Sequence, residues 1–191
     1  MSEAQPDLDL VRSDDFGITS RHYYYLERDR YDLSLEDLAS VGITDGNCRI
    51  GRVLIPTLIK AQSQFRSLGY DLIIKDGYRS PELYRLVYGK RVARYGKEHT
   101  DSLLNIDRMI HAKGNVVDID LTPLDGSKMM LRAAADGVPA HFYGFYKKKS
   151  DSHSIVYQSN QDMMKTVMFG FGYEFGSLIE YWHFELAQAD Q

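Results

Sequence analysis

The chain has 191 residues, a size suited to one domain, and at this length enough apolar surface is buried for folding without a disulfide or a structural metal. Hydrophobic residues make up 43% and charged residues 26%, the balance of an ordinary globular protein. The net charge of -4, from 27 acidic and 23 basic side chains, argues against nucleic acid as the main partner, because phosphate binding needs a basic stripe and the run Lys147 to Lys149 is too short to provide one.

The N-terminal stretch MSEAQPDLDLVRSDD has no basic region followed by an apolar one, so it does not read as a secretory signal. No apolar run approaches the ~20 residues of a membrane helix. Cys48 is the one cysteine, which excludes a disulfide within the chain and fits a reducing compartment. Together these lead to an expectation of a cytoplasmic protein without a membrane span. No repeat, low-complexity tract or Pro/Gly/Ser linker divides the sequence, so a single domain over residues 1–191 is expected.

The stretch to about Asn47 is rich in tyrosine and charge (HYYYLERDRYDLSLEDLAS) and shows no clear period. A helix is predicted from about Arg52 to Leu68, where Leu54, Leu58, Ala61, Phe65 and Leu68 form one apolar stripe and Gly69 stops it. Tyr70 to Lys75 reads as a strand. Asp76-Gly77 then marks a turn, with Ser80 as cap and Pro81 as first residue of a helix running to roughly Tyr95. Asn115 to Leu121 reads as a second strand, with Val117, Ile119 and Leu121 on one face and Asp118 and Asp120 on the other. Asp125 to Ser154 is polar and glycine-containing and reads as a long irregular region. A third helix is predicted over Asn160 to Phe171, capped by Ser159, with Met163, Met164, Val167, Met168 and Phe171 inward. A last strand covers roughly Trp182 to Leu186. Helices and strands are interspersed without regular βαβ alternation, which predicts an α+β fold with a central antiparallel sheet flanked by helices.

Chemistry concentrates in three short stretches. In IHAKGNVVDIDL, His111 precedes a glycine turn and Asp118 lies on the strand beyond it; Gly114 lets the chain bend so that both can face one point. In EYWHFEL, His183 can supply a third ligand. Two imidazoles and one carboxylate are a set typical of catalytic zinc, one ion per chain, with a position left for water. Glu180 is then the carboxylate beside that water, acting as general base. Three residues apart on a regular strand, Glu180 and His183 would point to opposite faces, so Glu180 is predicted to lie in a turn before the strand. In DGYRS, Arg79 follows a predicted strand and turn and is the candidate to stabilise negative charge in the transition state. Asp120 is a candidate partner to a ligand. His22, His99, His141 and His153 read as exposed or locally bonded residues.

The order of DGYRS, HAKGNVVD and EYWHF resembles the signature segments of the zinc D-alanyl-D-alanine metallopeptidases, over about Arg52 to Leu186. Within that family the chain is most similar to the D-Ala-D-Ala dipeptidases of the vancomycin-resistance type. The resemblance implies zinc held by His111, Asp118 and His183, Glu180 as catalytic base and Arg79 as transition-state stabiliser. It implies a fold of the lysostaphin/D-Ala-D-Ala metallopeptidase/hedgehog kind and a small D-amino-acid peptide as substrate. Met109 and Val116 depart from the family pattern. A D,D-carboxypeptidase or peptidoglycan endopeptidase acting on longer stem peptides is the alternative within the class. Outside it stand a non-haem iron oxygenase, since two histidines and a carboxylate also describe that triad, and a binding module that keeps zinc without catalysis.

Overall fold

The computed structural model describes residues 8–101, 104, 106–176 and 179–187. The chain divides into two compact units, each built from two segments: Met1–Val53 with Ile74–Val117, and Leu54–Ile73 with Asp118–Gln191.

In the first unit, strand β1 (Leu10–Arg12) pairs antiparallel with β2 (Arg49–Gly51), Val11 opposite Ile50. Between them the tyrosine-rich stretch forms two short helices, α1 (Tyr23–Leu26) and α2 (Leu35–Ser40). Its rings meet edge to face, Tyr23 with Tyr24 at 5.7 Å and Tyr24 with Tyr31 at 5.3 Å between centroids, a favoured aromatic arrangement. Tyr24 and Tyr31 are core, buried with Leu33, Leu38, Leu83, Tyr84, Val87 and Leu104, and Tyr23 packs half-buried against them. Ser34 and Asp37 close a reciprocal cap on α2.

Helix α3 (Ile55–Ser67) opens the second unit, preceded by a 3-10 turn at Arg52–Leu54. Leu58, Ala61 and Phe65 are buried along its predicted stripe. Strand β3 (Tyr70–Asp76) follows, and then α4 (Pro81–Tyr95) with Ser80 as cap and Pro81 in the first turn, at the predicted bounds. A short α5 (Lys97–Asp101) and strand β4 (Val116–Pro123) come next. On β4, Val117, Ile119 and Leu121 are buried while Asp118 and Asp120 are half-buried, the predicted alternation.

Helix α6 covers Ser152–Gly170, not Asn160 to Phe171, and its cap is Asp151 rather than Ser159. The early turns were hidden because their inward positions are polar: Ser154, Gln158 and Gln161 are buried. Gln161 donates to the Leu131 carbonyl at 2.8 Å and Asn160 to the Met130 carbonyl at 2.7 Å, so the helix fastens the preceding irregular segment by side chains. That segment contains 3-10 turns at Ala134–Asp136 and Val138–His141. Two strands end the unit: β5 (Tyr173–Phe175), which the sequence reading did not find, and β6 (His183–Leu186). They pair antiparallel, Phe175 opposite Phe184. The larger sheet has the order β3-β4-β6-β5. The fold class is α+β, with antiparallel sheets flanked by helices.

Candidate metal centre

His111 sits in a 3-10 turn, Ile110–Lys113, that Gly114 closes in the left-handed conformation (φ 75°). This is the bend that the glycine spacing predicts. The ring is buried, at 3% exposure. Its backbone N–H donates to the Tyr84 hydroxyl at 3.0 Å, which ties the turn to α4. Its Nδ1 lies 2.8 Å from the Gly77 carbonyl. A carbonyl only accepts, so Nδ1 carries the hydrogen and Nε2 carries the lone pair, the tautomer a metal ligand requires. Gly77 can offer that carbonyl because it runs against the backbone of Arg49, where a Cβ would meet Ile50 Cγ2 at 2.6 Å; the neighbouring Tyr78 N–H donates to the Arg49 carbonyl at 2.6 Å. The glycine of DGYRS is thus a close-approach residue that orients His111.

Arg79 is 7% exposed. Its Nε and Nη2 lie 3.2 and 2.5 Å from Asp76 Oδ2. Its guanidinium carbon stands 5.0 Å from the Tyr24 ring centre and 4.5 Å from that of Tyr84. Burial works against the charge, but Tyr24, Asp76 and Tyr84 together hold the guanidinium protonated well above its ordinary range.

In the second unit, His183 opens β6 and is 5% exposed. Its Nδ1 is 2.8 Å from Asp118 Oδ1, and its Nε2 is 3.5 Å from Glu185 Oε1. Burial lowers the affinity of the ring for a proton. The hydrogen bond to Asp118, the Glu185 carboxylate beside Nε2 and the charges of Asp118 and Glu180 outweigh burial and push the imidazole up to about 10. Gly176 lies against this ring: a Cβ there would stand 2.5 Å from His183 Cδ2 and 2.6 Å from Glu185 Oε1.

Glu180 and His183 are the two ends of one β-turn, since the His183 N–H donates to the Glu180 carbonyl at 3.1 Å. That brings their Cα atoms within ~7 Å. Ile179, just before, takes a positive φ of 52° and turns the chain into it. The predicted turn before the strand is present, with Tyr181 and Trp182 at its centre. Phe184 is fully buried behind His183, and the Trp182 carbonyl accepts from Ile119 N–H at 2.9 Å, joining the turn to β4.

One ligand atom each from His111, Asp118 and His183 lie within 4.8 Å of one another. The donor set fits zinc: two nitrogens and one oxygen, the His111 ring oriented by the Gly77 carbonyl and the His183 ring with the Glu185 carboxylate beside its Nε2. The charge fits as well. Around His183 the near charged groups are carboxylates, which hold a proton on the ring where an ion would serve the same electrostatic demand. Sequence reasoning missed Glu185, two residues beyond His183 and so on the same face of β6; that two-residue period was the available signal. It also missed Gly176 and the Gly77 carbonyl, which no local pattern marks. Asp120 bonds its neighbour, accepting from Leu121 N–H at 2.9 Å.

No protein-family model matches the chain, and no curated protein matches it by sequence. Among solved structures, it is similar to the LD-carboxypeptidase LdcB, with 15% identity and a TM-score of 0.49. That match covers 72% of this chain and 59% of LdcB, so the chain spans less than two thirds of that protein. It is also similar to the zinc complex of the vancomycin-resistance D,D-pentapeptidase VanY (18%, TM-score 0.48, 75% of each chain). A third similar structure is DacB from Streptococcus pneumoniae D39 (16%, TM-score 0.45, 73% of this chain and 67% of that one).

Proposed function

We propose that this chain is a zinc-dependent peptidase that hydrolyses peptides ending in D-Ala-D-Ala, with the free dipeptide as the smallest substrate of the class. The observation that carries the reading is the β-turn that joins the ligand His183 to the non-ligand carboxylate Glu180. A structural metal site needs no such second carboxylate, and an oxygenase triad needs none either. The order of DGYRS, HAKGNVVD and EYWHF supplies the substrate class through its resemblance to the D-alanyl-D-alanine metallopeptidases.

His111, Asp118 and His183 would hold the ion. A zinc ion there supplies Lewis acidity and brings the pKa of a water to near ~7. Glu180 takes the proton of the attacking water as its oxygen bonds to the peptide carbonyl carbon. It then delivers that proton to the leaving amine as the C–N bond breaks. Arg79 is the cation assigned to stabilise the transition state; its buried pair with Asp76 and its two tyrosine neighbours fix it in place.

The test is a pair of variants assayed for zinc content and for D-Ala release from D-Ala-D-Ala, from a tripeptide ending in D-Ala-D-Ala and from a full stem peptide. Glu180→Ala keeps zinc and loses ~10²–10⁴-fold in rate, the usual worth of a general base. His183→Ala loses the metal. Wild-type rates in Glu180→Ala would falsify the mechanism.

A further inference from the structure

The chain reaches Glu180 through a residue whose backbone takes a conformation that its own side chain disfavours. Among the described residues, three that are not glycine have a positive φ: Asp32 at 53°, Met109 at 41° and Ile179 at 52°. A short polar side chain tolerates this region, and Asp32 takes it just after a 3-10 turn, Arg28–Tyr31. Met109 is unbranched and packs against the core around Tyr24 and Tyr84, which offsets the cost. Ile179 has neither feature. It is β-branched, which makes a positive φ a true outlier, and it is 50% exposed, so burial does not compensate.

The hydrogen bonds around Ile179 show what holds it there. Its N–H donates to the Gly176 carbonyl at 3.0 Å and closes one turn; the His183 N–H donates to the Glu180 carbonyl at 3.1 Å and closes the next. The two turns abut at the Ile179–Glu180 peptide, so the backbone of Ile179 sets how the second leaves the first. A further segment of the same unit braces the junction. Tyr143 N–H donates to the Ile179 carbonyl at 3.0 Å and Tyr181 N–H to the His141 carbonyl at 3.2 Å, on either side of an antiparallel bridge between Phe142 and Glu180. The brace is itself anchored: the Tyr143 hydroxyl donates to Asp162 Oδ1 at 2.5 Å, and the His141 ring meets the Trp182 indole at 4.8 Å. An ordinary negative φ at 179 would rotate the chain beyond that bond by roughly 100° or more and break the brace. Backbone strain persists only where the surroundings over-determine it, and it gathers at functional sites.

We infer that Ile179 is a positioning residue for the general base: its left-handed backbone, held against the preference of its side chain, brings Glu180 into the turn it shares with His183. The inference rests on the peptidase reading above and adds the device that places the base. Its consequence is a rank order. Residues that accept a positive φ serve this position better than isoleucine does, although they remove its side chain.

Ile179→Asn, Ile179→Gly, Ile179→Val and Ile179→Pro are compared with wild type in two ways. The first is amide hydrogen exchange in the metal-free protein. The second is kcat, KM and zinc content of the loaded full chain on a tripeptide ending in D-Ala-D-Ala. In Ile179→Asn and Ile179→Gly the Tyr143, Tyr181 and His183 N–H groups exchange about 10-fold more slowly than in wild type, because the strain that favours opening is gone. Their kcat stays at or above the wild-type value. Ile179→Val matches wild type in both measurements. Ile179→Pro fixes φ at about −65° and removes the N–H that bonds Gly176, so kcat falls ~100-fold with KM and zinc content nearly unchanged. The inference is overturned if exchange is unaltered in Ile179→Asn and Ile179→Gly, or if both variants lose protection and kcat while Ile179→Val does not, since that order marks a packing role. It is equally overturned if Ile179→Pro, folded and zinc-loaded, keeps the wild-type kcat; if that variant does not fold, the order of the other three decides. If the zinc-loaded wild type cleaves no peptide ending in D-Ala-D-Ala, the peptidase reading falls, and the exchange order in metal-free protein still decides whether Ile179 sets the turn.

Discussion

His22 and His183 are buried to nearly the same degree, 3% and 5% exposed, and their imidazoles are driven in opposite directions. Burial pushes the His22 ring down; Asp76 pulls it up, Arg79 opposes Asp76, and Asp45 adds a lesser pull. For His183 the same burial is overcome by Asp118, Glu185 and Glu180, and the ring rises to about 10. The difference is the cation already present. Around His22, Arg79 balances Asp76 within a sandwich of tyrosines, and the cluster is electrostatically complete. Around His183 carboxylates dominate, and the ring itself must carry the positive charge. Half-buried carboxylates gathered around a buried imidazole make a site that favours a cation, which is the physical content of the zinc assignment.

The largest expected effect comes from breaking the complete cluster. Asp76→Ala leaves the Arg79 guanidinium buried without its carboxylate, a loss of about 3–5 kcal/mol in unfolding free energy, read by urea denaturation. The double variant Asp76→Ala with Arg79→Met should cost less than the sum of the two single changes, because it removes both charges. Additive losses would show that the pair is not the unit of stability. The same experiment separates stability from catalysis: Arg79→Met in a folded, zinc-loaded protein tests the transition-state role directly.

A smaller change reaches the other cluster without removing a charge. Gly176→Ala places a methyl 2.5 Å from His183 Cδ2 and 2.6 Å from its Nε2, so the ring must move. Zinc affinity should fall ~10–100-fold, as when a group orienting a ligand is lost. Gly170→Ala is the control, since a Cβ there meets nothing within 4 Å. Isothermal titration of zinc into the metal-free proteins gives the comparison. Equal affinity in both variants would mean that the ring tolerates displacement and that its packing does not set the site.

These two clusters also mark how far the sequence could be read. The His111–Gly114–Asp118 turn was legible because a glycine at a bend and a two-residue period on a strand are local signals. Helix α4 was legible for the same reason, with Ser80 and Pro81 marking its start. The spacing of Glu180 and His183 was legible as a conflict with strand geometry, and the β-turn resolves it. What stayed hidden depends on contacts between distant segments. Nothing near Gly176 says that its missing side chain makes room for His183. Nothing in DGYRS says that the Gly77 carbonyl orients His111. The early turns of α6 escaped because Gln158 and Gln161 are buried, bonding Asp162 one turn on and the distant Leu131 carbonyl respectively, and break the apolar period. The tyrosine-rich stretch escaped because ring-to-ring packing has no one-dimensional signature.

The pH dependence is the most direct reading of the contrast. In metal-free protein, His183 holds its proton in the folded state up to about 10 against an ordinary value of 6.5, so the folded state binds more protons than the unfolded one in that window. Stability from this group is full below 6.5 and is lost as pH rises toward 10. His22 has the opposite sign: its folded value lies below 6.5, so its contribution is present above 6.5 and fades as pH falls below it. Imidazole NMR of metal-free protein should show one buried ring that titrates near 10 and another that stays neutral at pH values where exposed histidines are charged. His183→Gln should flatten the alkaline decline in thermal stability, and His22→Gln the acidic one. Zinc must displace the His183 proton, so the alkaline decline should also disappear on loading the metal, with protons released to the buffer. A decline that survives zinc would place the titrating group elsewhere and remove the electrostatic reason for the ion.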